Sequence, residues 1–207
     1  MGFVRQRSIL PADCGRPKDN REYNDLVAAL AGPDAAGRRQ AAREIVHCAD
    51  AATTLVGRLQ CEEDLSVREA ILGILLRLND PSALSGLADC LRSEDAALRN
   101  EAIGALRQMG SEVDPLLHSL LADADPDVRI FAVNILDSGR HPEAERWLID
   151  IIEQDSHVNV CATAVDLLCE VATEAAVGPL VGLKTRFASE PYIQFASDLA
   201  LKRIREV

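Results

Sequence analysis

A segment of near-constant length recurs along this 207-residue chain, and self-similarity at a fixed period constrains the fold more than any other feature. Counted from an aspartate, the stretches from Asp64 (DLSVREAILGILLRL), Asp95 (DAALRNEAIGALRQM) and Asp125 (DPDVRIFAVNILDSG) align without a gap. Asp34 (DAAGRRQAAREIVHC) and Asp155 (DSHVNVCATAVDLLC) extend the series, so that the origins lie 30, 31, 30 and 30 residues apart. The fourth residue of a repeat is Val67, Leu98, Val128 or Val158, and apolar residues such as Ile71, Leu72, Ile74 and Leu75 then return at helical spacing. Each repeat therefore opens with an amphipathic helix. Its aspartate can accept hydrogen bonds from the orphan amides of the first turn, and the negative charge suits the positive end of the helix. Gly73, Gly104 and Asn134 share one mid-helix place. Glycine there costs about 1 kcal/mol relative to alanine, so the pattern predicts a close helix crossing.

A second apolar series follows after a turn marked by Asp80-Pro81, Gly110-Ser111, His141-Pro142 or Thr173-Glu174. It carries the pairs Leu55/Val56, Gly86/Leu87, Leu116/Leu117, Trp147/Leu148 and Pro179/Leu180. Each repeat is thus a helical hairpin that cannot bury both stripes alone, whereas stacked hairpins share a continuous core. The opening DPDVR at Asp125–Arg129, its copies at Asp64–Arg68 and Asp95–Arg99, and the small mid-helix residue resemble the HEAT-like repeat family, in the short-repeat form also found in phycobilin lyase subunits. The resemblance implies an all-α fold, a right-handed alpha-solenoid (an armadillo/HEAT-type superhelix) of about five helical hairpins plus terminal capping helices. It also implies that the second helices line a concave face holding a protein partner. Residues 20–207 are expected to form the solenoid, with Asn20–Ala31 as a lone capping helix. The segment from Ser189 is expected as a terminal half-repeat whose Ile193, Ala196, Leu199 and Ala200 face inward. Residues 1–19, without periodicity, read as a flexible basic arm.

The chain carries 33 acidic and 22 basic residues, a net charge of −11. Residues 1–21 sum to +3, which leaves −14 on residues 22–207. Nucleic-acid backbones require a basic face, so nucleic acid is not expected as a partner, and a protein with a basic surface is. No apolar stretch approaches the roughly 20 residues of a membrane span. Six cysteines without CxxC or zinc-type spacing, and Arg5 and Arg7 where a signal peptide needs its apolar core, point to a reducing, cytoplasmic setting. Five of these thiols fall in apolar helical patterns, where they are expected to pack as small hydrophobes; Cys14, in the arm, is the one expected to be exposed.

Arg38, Arg68, Arg99 and Arg129 stand four residues after the origins, with Asn159 in that place in the last repeat. This row reads as structural staples to carboxylates rather than as an anion site. The four histidines form no HxxH or HExxH pattern and no repeated His-Glu pair, so no metal or cofactor is expected; His141 and His157 read as solvated residues without carboxylate partners. With no catalytic constellation, the reading is a non-enzymatic interaction module or scaffold that binds a partner on its second-helix face. The alternative is a bilin chaperone or lyase component like the phycobilin lyases. Positions three, four, seven and eight after Asp50, Pro81, Ser111, Pro142 and Glu174, Ala88 among them, should point away from the core. Within that set, Arg58, Leu84, Asp89, His118, Arg146, Ile149, Asp150, Val177 and Val181 are the expected partner-binding residues, apolar anchors with a polar rim.

Overall fold

A computed structural model describes residues 20–136 and 141–206. The arm expected at 1–19, with Cys14, lies outside the described residues. Twelve α-helices follow in the described residues: α1 (Asn20–Leu30), α2 (Ala35–Glu44), α3 (Ala51–Leu59), α4 (Leu65–Leu78), α5 (Pro81–Cys90), α6 (Ala96–Gln108), α7 (Asp114–Leu121), α8 (Pro126–Ile135), α9 (Ala144–Gln154), α10 (Val158–Val171), α11 (Val177–Arg186) and α12 (Pro191–Glu206). The fold is an all-α solenoid, as the repeat predicts. The chain divides into two compact units, one ending at Ala83 and the other beginning at Leu84.

In the second compact unit the first helices pack on one another, α6 on α8, α8 on α10 and α10 on α12. The second helices α7, α9 and α11 cover α8, α10 and α12, so each seals the first helix of the following repeat. In the first compact unit α2 packs on α4 and α3 covers α4. Helix α1 covers α2 in the same way, and Tyr23 Oη lies 2.7 Å from Thr54 Oγ1 of α3. It is therefore a second helix in its packing rather than a detached cap. The core is aliphatic, with Val67, Ile71, Ile74 and Leu75 of α4 wholly buried. Each such side chain contributes about 1.5–3 kcal/mol.

The capping prediction holds. Asp34, Asp64, Asp95 and Asp125 sit in extended backbone before α2, α4, α6 and α8 and accept the amides of Gly37, Ser66, Ala97 and Asp127 at 2.7–2.9 Å. The fifth origin is different. His157, not Asp155, is the residue that precedes α10. Asp155 accepts the His157 amide at 2.8 Å, just as Glu62 and Asp123 accept the amides of Asp64 and Asp125, each at 2.9 Å. The last interval is thus 32 residues, from Asp125 to His157, and Val160, fully buried, takes the place expected for Val158. Two extra loop residues and a run of valines conceal this shift in the sequence.

Four further expectations are corrected. A Cβ added at Gly73 or Gly104 meets nothing within 4 Å, so neither glycine serves a close crossing. Leu199 points outward, and Ser197 and Leu201 join Ile193, Ala196 and Ala200 on the buried side of α12. Cys61 is exposed beyond the end of α3, unlike the buried Cys90 and Cys161. Ala88 is buried, because α5 turns a wide face inward through Ala83, Gly86, Leu87 and Ala88. The open surroundings of the two glycines make a prediction: Gly73→Ala and Gly104→Ala each stabilise the protein by about 0.5–1 kcal/mol through lower unfolded-state entropy, raising the melting temperature by a few degrees. A lowered melting temperature in thermal denaturation would restore the crossing.

Candidate partner-binding face

The arginine row is built from local carbonyls first. Arg38, Arg68, Arg99 and Arg129 each donate to the carbonyl six residues earlier, those of Gly32 (3.0 Å), Glu62 (2.5 Å), Ser93 (2.6 Å) and Asp123 (2.8 Å). A folded-back first turn thereby holds the loop that enters it. Arg38 and Arg129 then reach one repeat further along the chain. Arg38 forms a two-pronged pair with Glu62 (Nε–Oε2 2.8 Å, Nη2–Oε1 2.8 Å), and Arg129 does the same with Asp155 (2.7 and 3.1 Å). Such forks are geometrically specific and charge-assisted. The row is a set of structural staples.

Glu62 is the hub of the first compact unit. Its side chain is 1% exposed and takes bonds from Arg38, from Arg58 Nη2 at 2.7 Å, and from the amides of Glu63 and Asp64 at 3.1 and 2.9 Å. Burial pushes this carboxyl up, but the bonds from Arg38, the Asp64 amide and Arg58 together outweigh it and hold the pKa at about 2.

The last two repeats lack the arginine and replace it piecewise. Cys161, in the arginine place, donates its thiol to the Asp155 carbonyl at 3.3 Å, and burial pushes that thiol up, keeping it protonated. Arg186, the last residue of α11, closes the same loop by donating to the carbonyls of Glu153, Ile152 and Asp155 at 2.6, 2.7 and 2.9 Å. In α12, Gln194 stands in that place and donates to the carbonyls of Lys184 (2.8 Å) and Phe187 (3.1 Å).

The second helices leave all nine expected face residues at least partly accessible. Asp89, His118, Arg146, Asp150 and Val181 are exposed, and Arg58, Leu84, Ile149 and Val177 are half-buried. Arg58 is turned to Glu62 and committed within its own compact unit. Among the described residues Arg146 pairs with Glu143, three residues before it, at 2.8 Å; a surface pair of this kind contributes about 0–1 kcal/mol and exchanges readily for another partner.

In the second compact unit α7 and α9 bring the face residues His118 and Asp150 together around a ring. Trp147 lies between two imidazoles, His118 at 4.5 Å and His141 at 4.7 Å between ring centroids. His141 Nδ1 accepts the Glu143 amide at 3.2 Å, so its proton sits on Nε2 and is donated to Asp114 Oδ1 at 2.9 Å. His141 is therefore not a solvated residue without a carboxylate; it ties the entry of α9 to the start of α7. His157 is likewise half-buried, with Nδ1 shut off from solvent. Beside Trp147 runs a groove of about 390 Å³ lined by His118, Leu121, Ala122, Trp147, Asp150, Ile151, Gln154 and Asp155. Among the described residues no three His, Cys, Asp or Glu side chains converge as a metal site, and no helix is long and apolar enough to cross a membrane.

The family description "HEAT repeats" matches residues 23–107 and 113–190. The chain belongs to the HEAT-repeat family. Its HEAT repeats are similar in fold to Drosophila melanogaster Mini spindles TOG3, at 14% identity and a TM-score of 0.51, over 87% of this chain and 93% of that one. An archaeal HEAT-like repeats protein from Thermococcus onnurineus NA1 (15% identity, TM-score 0.47, 90% and 89% covered) and an engineered protein (19%, 0.41, 89% and 97%) also match. No curated protein matches the sequence. These matches carry the repeat family and not the bilin-lyase likeness.

Sequence reasoning on these HEAT repeats missed Trp147 and Leu121 as groove residues, the His141–Asp114 bond, and Arg186 as a loop closer. A signal for the bond was available: it joins residues 27 apart, and the Arg38–Glu62 and Arg129–Asp155 forks span 24 and 26, each just short of one repeat. The Glu62 hub yields a prediction with a definite sign. Its pKa is depressed from 4.5 to about 2, so its stabilisation is complete above about pH 4.5 and is lost as pH falls through 2. Glu62→Gln should destabilise by about 3 kcal/mol at pH 7, and the gap to wild type should close between pH 4.5 and 2 in urea titrations. A gap independent of pH would contradict the hub.

Proposed function

We propose that the protein is a non-enzymatic interaction module whose second-helix face binds a protein partner through a basic segment. HEAT-repeat proteins commonly serve as protein-interaction scaffolds, and that general role is the starting point. The observation that carries the finer reading is the α7–α9 groove. Its floor is apolar (Leu121, Trp147, Ile151), and its rim bears the exposed Asp150, while Asp155 at the far end is held by Arg129. An apolar floor with a polar rim is how binding sites are composed, and a body of charge −14 adds a long-range field that favours cationic partners. Leu84, Asp89, His118, Arg146, Ile149, Val177 and Val181 are the further contacts on this compact unit, whereas Arg58, in the first unit, is held by Glu62. The same negative field disfavours nucleic acid.

Trp147 is the only tryptophan of the chain and lines the groove, so its emission reports occupancy directly. Titration with a lysine- and arginine-rich peptide should shift that emission, with an affinity that weakens as salt rises, whereas a glutamate-rich peptide should leave it unchanged. Asp150→Lys should weaken the basic peptide about tenfold, the scale of one desolvated charge contact. Equal response to both peptides, or indifference to Asp150→Lys, would refute the reading.

A further inference from the structure

We propose that the outer side of α12 is a self-association surface, pairing antiparallel with α12 of a second copy of this chain about a two-fold axis. Six large apolar side chains are exposed among the described residues, and three of them, Tyr192 (53%), Phe195 (66%) and Leu199 (49%), lie on this one helix. At positions i, i+3 and i+7 they form a continuous stripe. That stripe is distinct from the buried one of Ile193, Ala196, Ser197, Ala200 and Leu201. Scattered exposed apolar residues need no explanation; a contiguous row of them marks a contact surface.

The two neighbours of α12 occupy its other sides. Toward α10, Tyr192 Oη donates to Asp166 at 2.7 Å and Arg203 donates to the Cys169 carbonyl. Toward α11, Lys184 pairs with Asp198, and one turn before Lys184 the exposed Val181 adds apolar surface at the margin. Phe195 and Leu199 remain on the third side, with Lys202 the next residue along the stripe.

Charge selects both the occupant and its direction. The stripe is apolar in its first half and runs into Lys202 and Arg203, Lys202 making only a long, exposed pair with Glu206 at 3.7 Å among the described residues, while Asp166 lies beside its beginning. A parallel pair would set the two basic ends together. An antiparallel pair with the axis midway between Phe195 and Leu199 places each Phe195 on the partner's Leu199. It also brings each Lys202 toward the partner's Tyr192, and so toward the partner's Asp166. The same surface on both copies satisfies both requirements, as a two-fold contact must. A 16-residue helix with three apolar anchors covers less than the roughly 800 Å² per partner of a standard interface, so the dimer is a weak one with a dissociation constant of about micromolar order. This surface is independent of the α7–α9 groove.

Sedimentation velocity of the full chain, from about 1 to about 500 µM, tests it across the expected dissociation range. A monomer–dimer shift is expected for the wild type. Phe195→Asp, at an exposed site and with an unchanged far-ultraviolet circular dichroism spectrum, should be monomeric throughout. Lys202→Glu should weaken the dimer about fivefold or more, and adding Asp166→Lys to the same chain should restore it. A wild type that stays monomeric throughout, a dimer that survives Phe195→Asp, or a double variant that fails to recover would each overturn the proposal.

Discussion

The arginine four residues into a first helix does two jobs that the solenoid needs done together. It bends back onto the carbonyl six residues earlier, which fixes the entry loop to its helix, and at Arg38 and Arg129 its remaining donors reach a carboxylate one repeat on. A guanidinium is suited to both at once, since its donors lie in a rigid plane and it keeps its charge when half-buried. Helix packing alone would leave neighbouring hairpins free to slide along their aliphatic contacts. The directional bonds to loop and acid set the register between repeats, and the capping aspartates place each helix start where the arginine can find its carbonyl.

Where the arginine is missing, the same loop carbonyls are still satisfied. Cys161 supplies one weak donor from the equivalent place, and Arg186 arrives from α11 to take the carbonyls at the end of α9. Gln194 does a similar task in α12. What is retained is a donor for the loop carbonyls, and not the identity of that donor. Long-range continuity is another matter. In a quasi-one-dimensional stack each repeat depends on its neighbours alone, and here the chain divides into two compact units at Ala83 and Leu84.

The periodicity made the helices, their caps, the hairpin phase and the staple reading legible, because all four are local and recur, the caps and the arginines in four repeats. Its failures share a cause: positions where a repeat departs from its fellows. The shift from Asp155 to His157 was hidden by Val158 and Val160, either of which completes an apolar stripe, and only the bond from the His157 amide to Asp155 separates them. Gly73 and Gly104 share a place without sharing a contact, so recurrence there carried no packing information. The groove beside Trp147 was partly visible through His118 and Asp150. Its other half depended on how α7 and α9 approach, which periodicity does not encode.

First and second helices therefore face different constraints. A first helix is packed by other first helices, roofed by a second helix and tied at its start, so nearly every side of it is spoken for by the stack. A second helix covers one neighbour and leaves a strip whose side chains are only partly drawn into repeat contacts. That strip can hold Arg146, Ile149 and Asp150 in one repeat and Val177 and Val181 in another without disturbing the core. Chemical variety thus collects where the fold does not forbid it, and α7 and α9 add a buried Trp147, its ring beside two imidazoles, to a strip that otherwise mixes charged, small and aliphatic side chains. A large ring fixed in place by its neighbours gives up little conformational entropy, which holds the α7 and α9 surfaces around it in one arrangement.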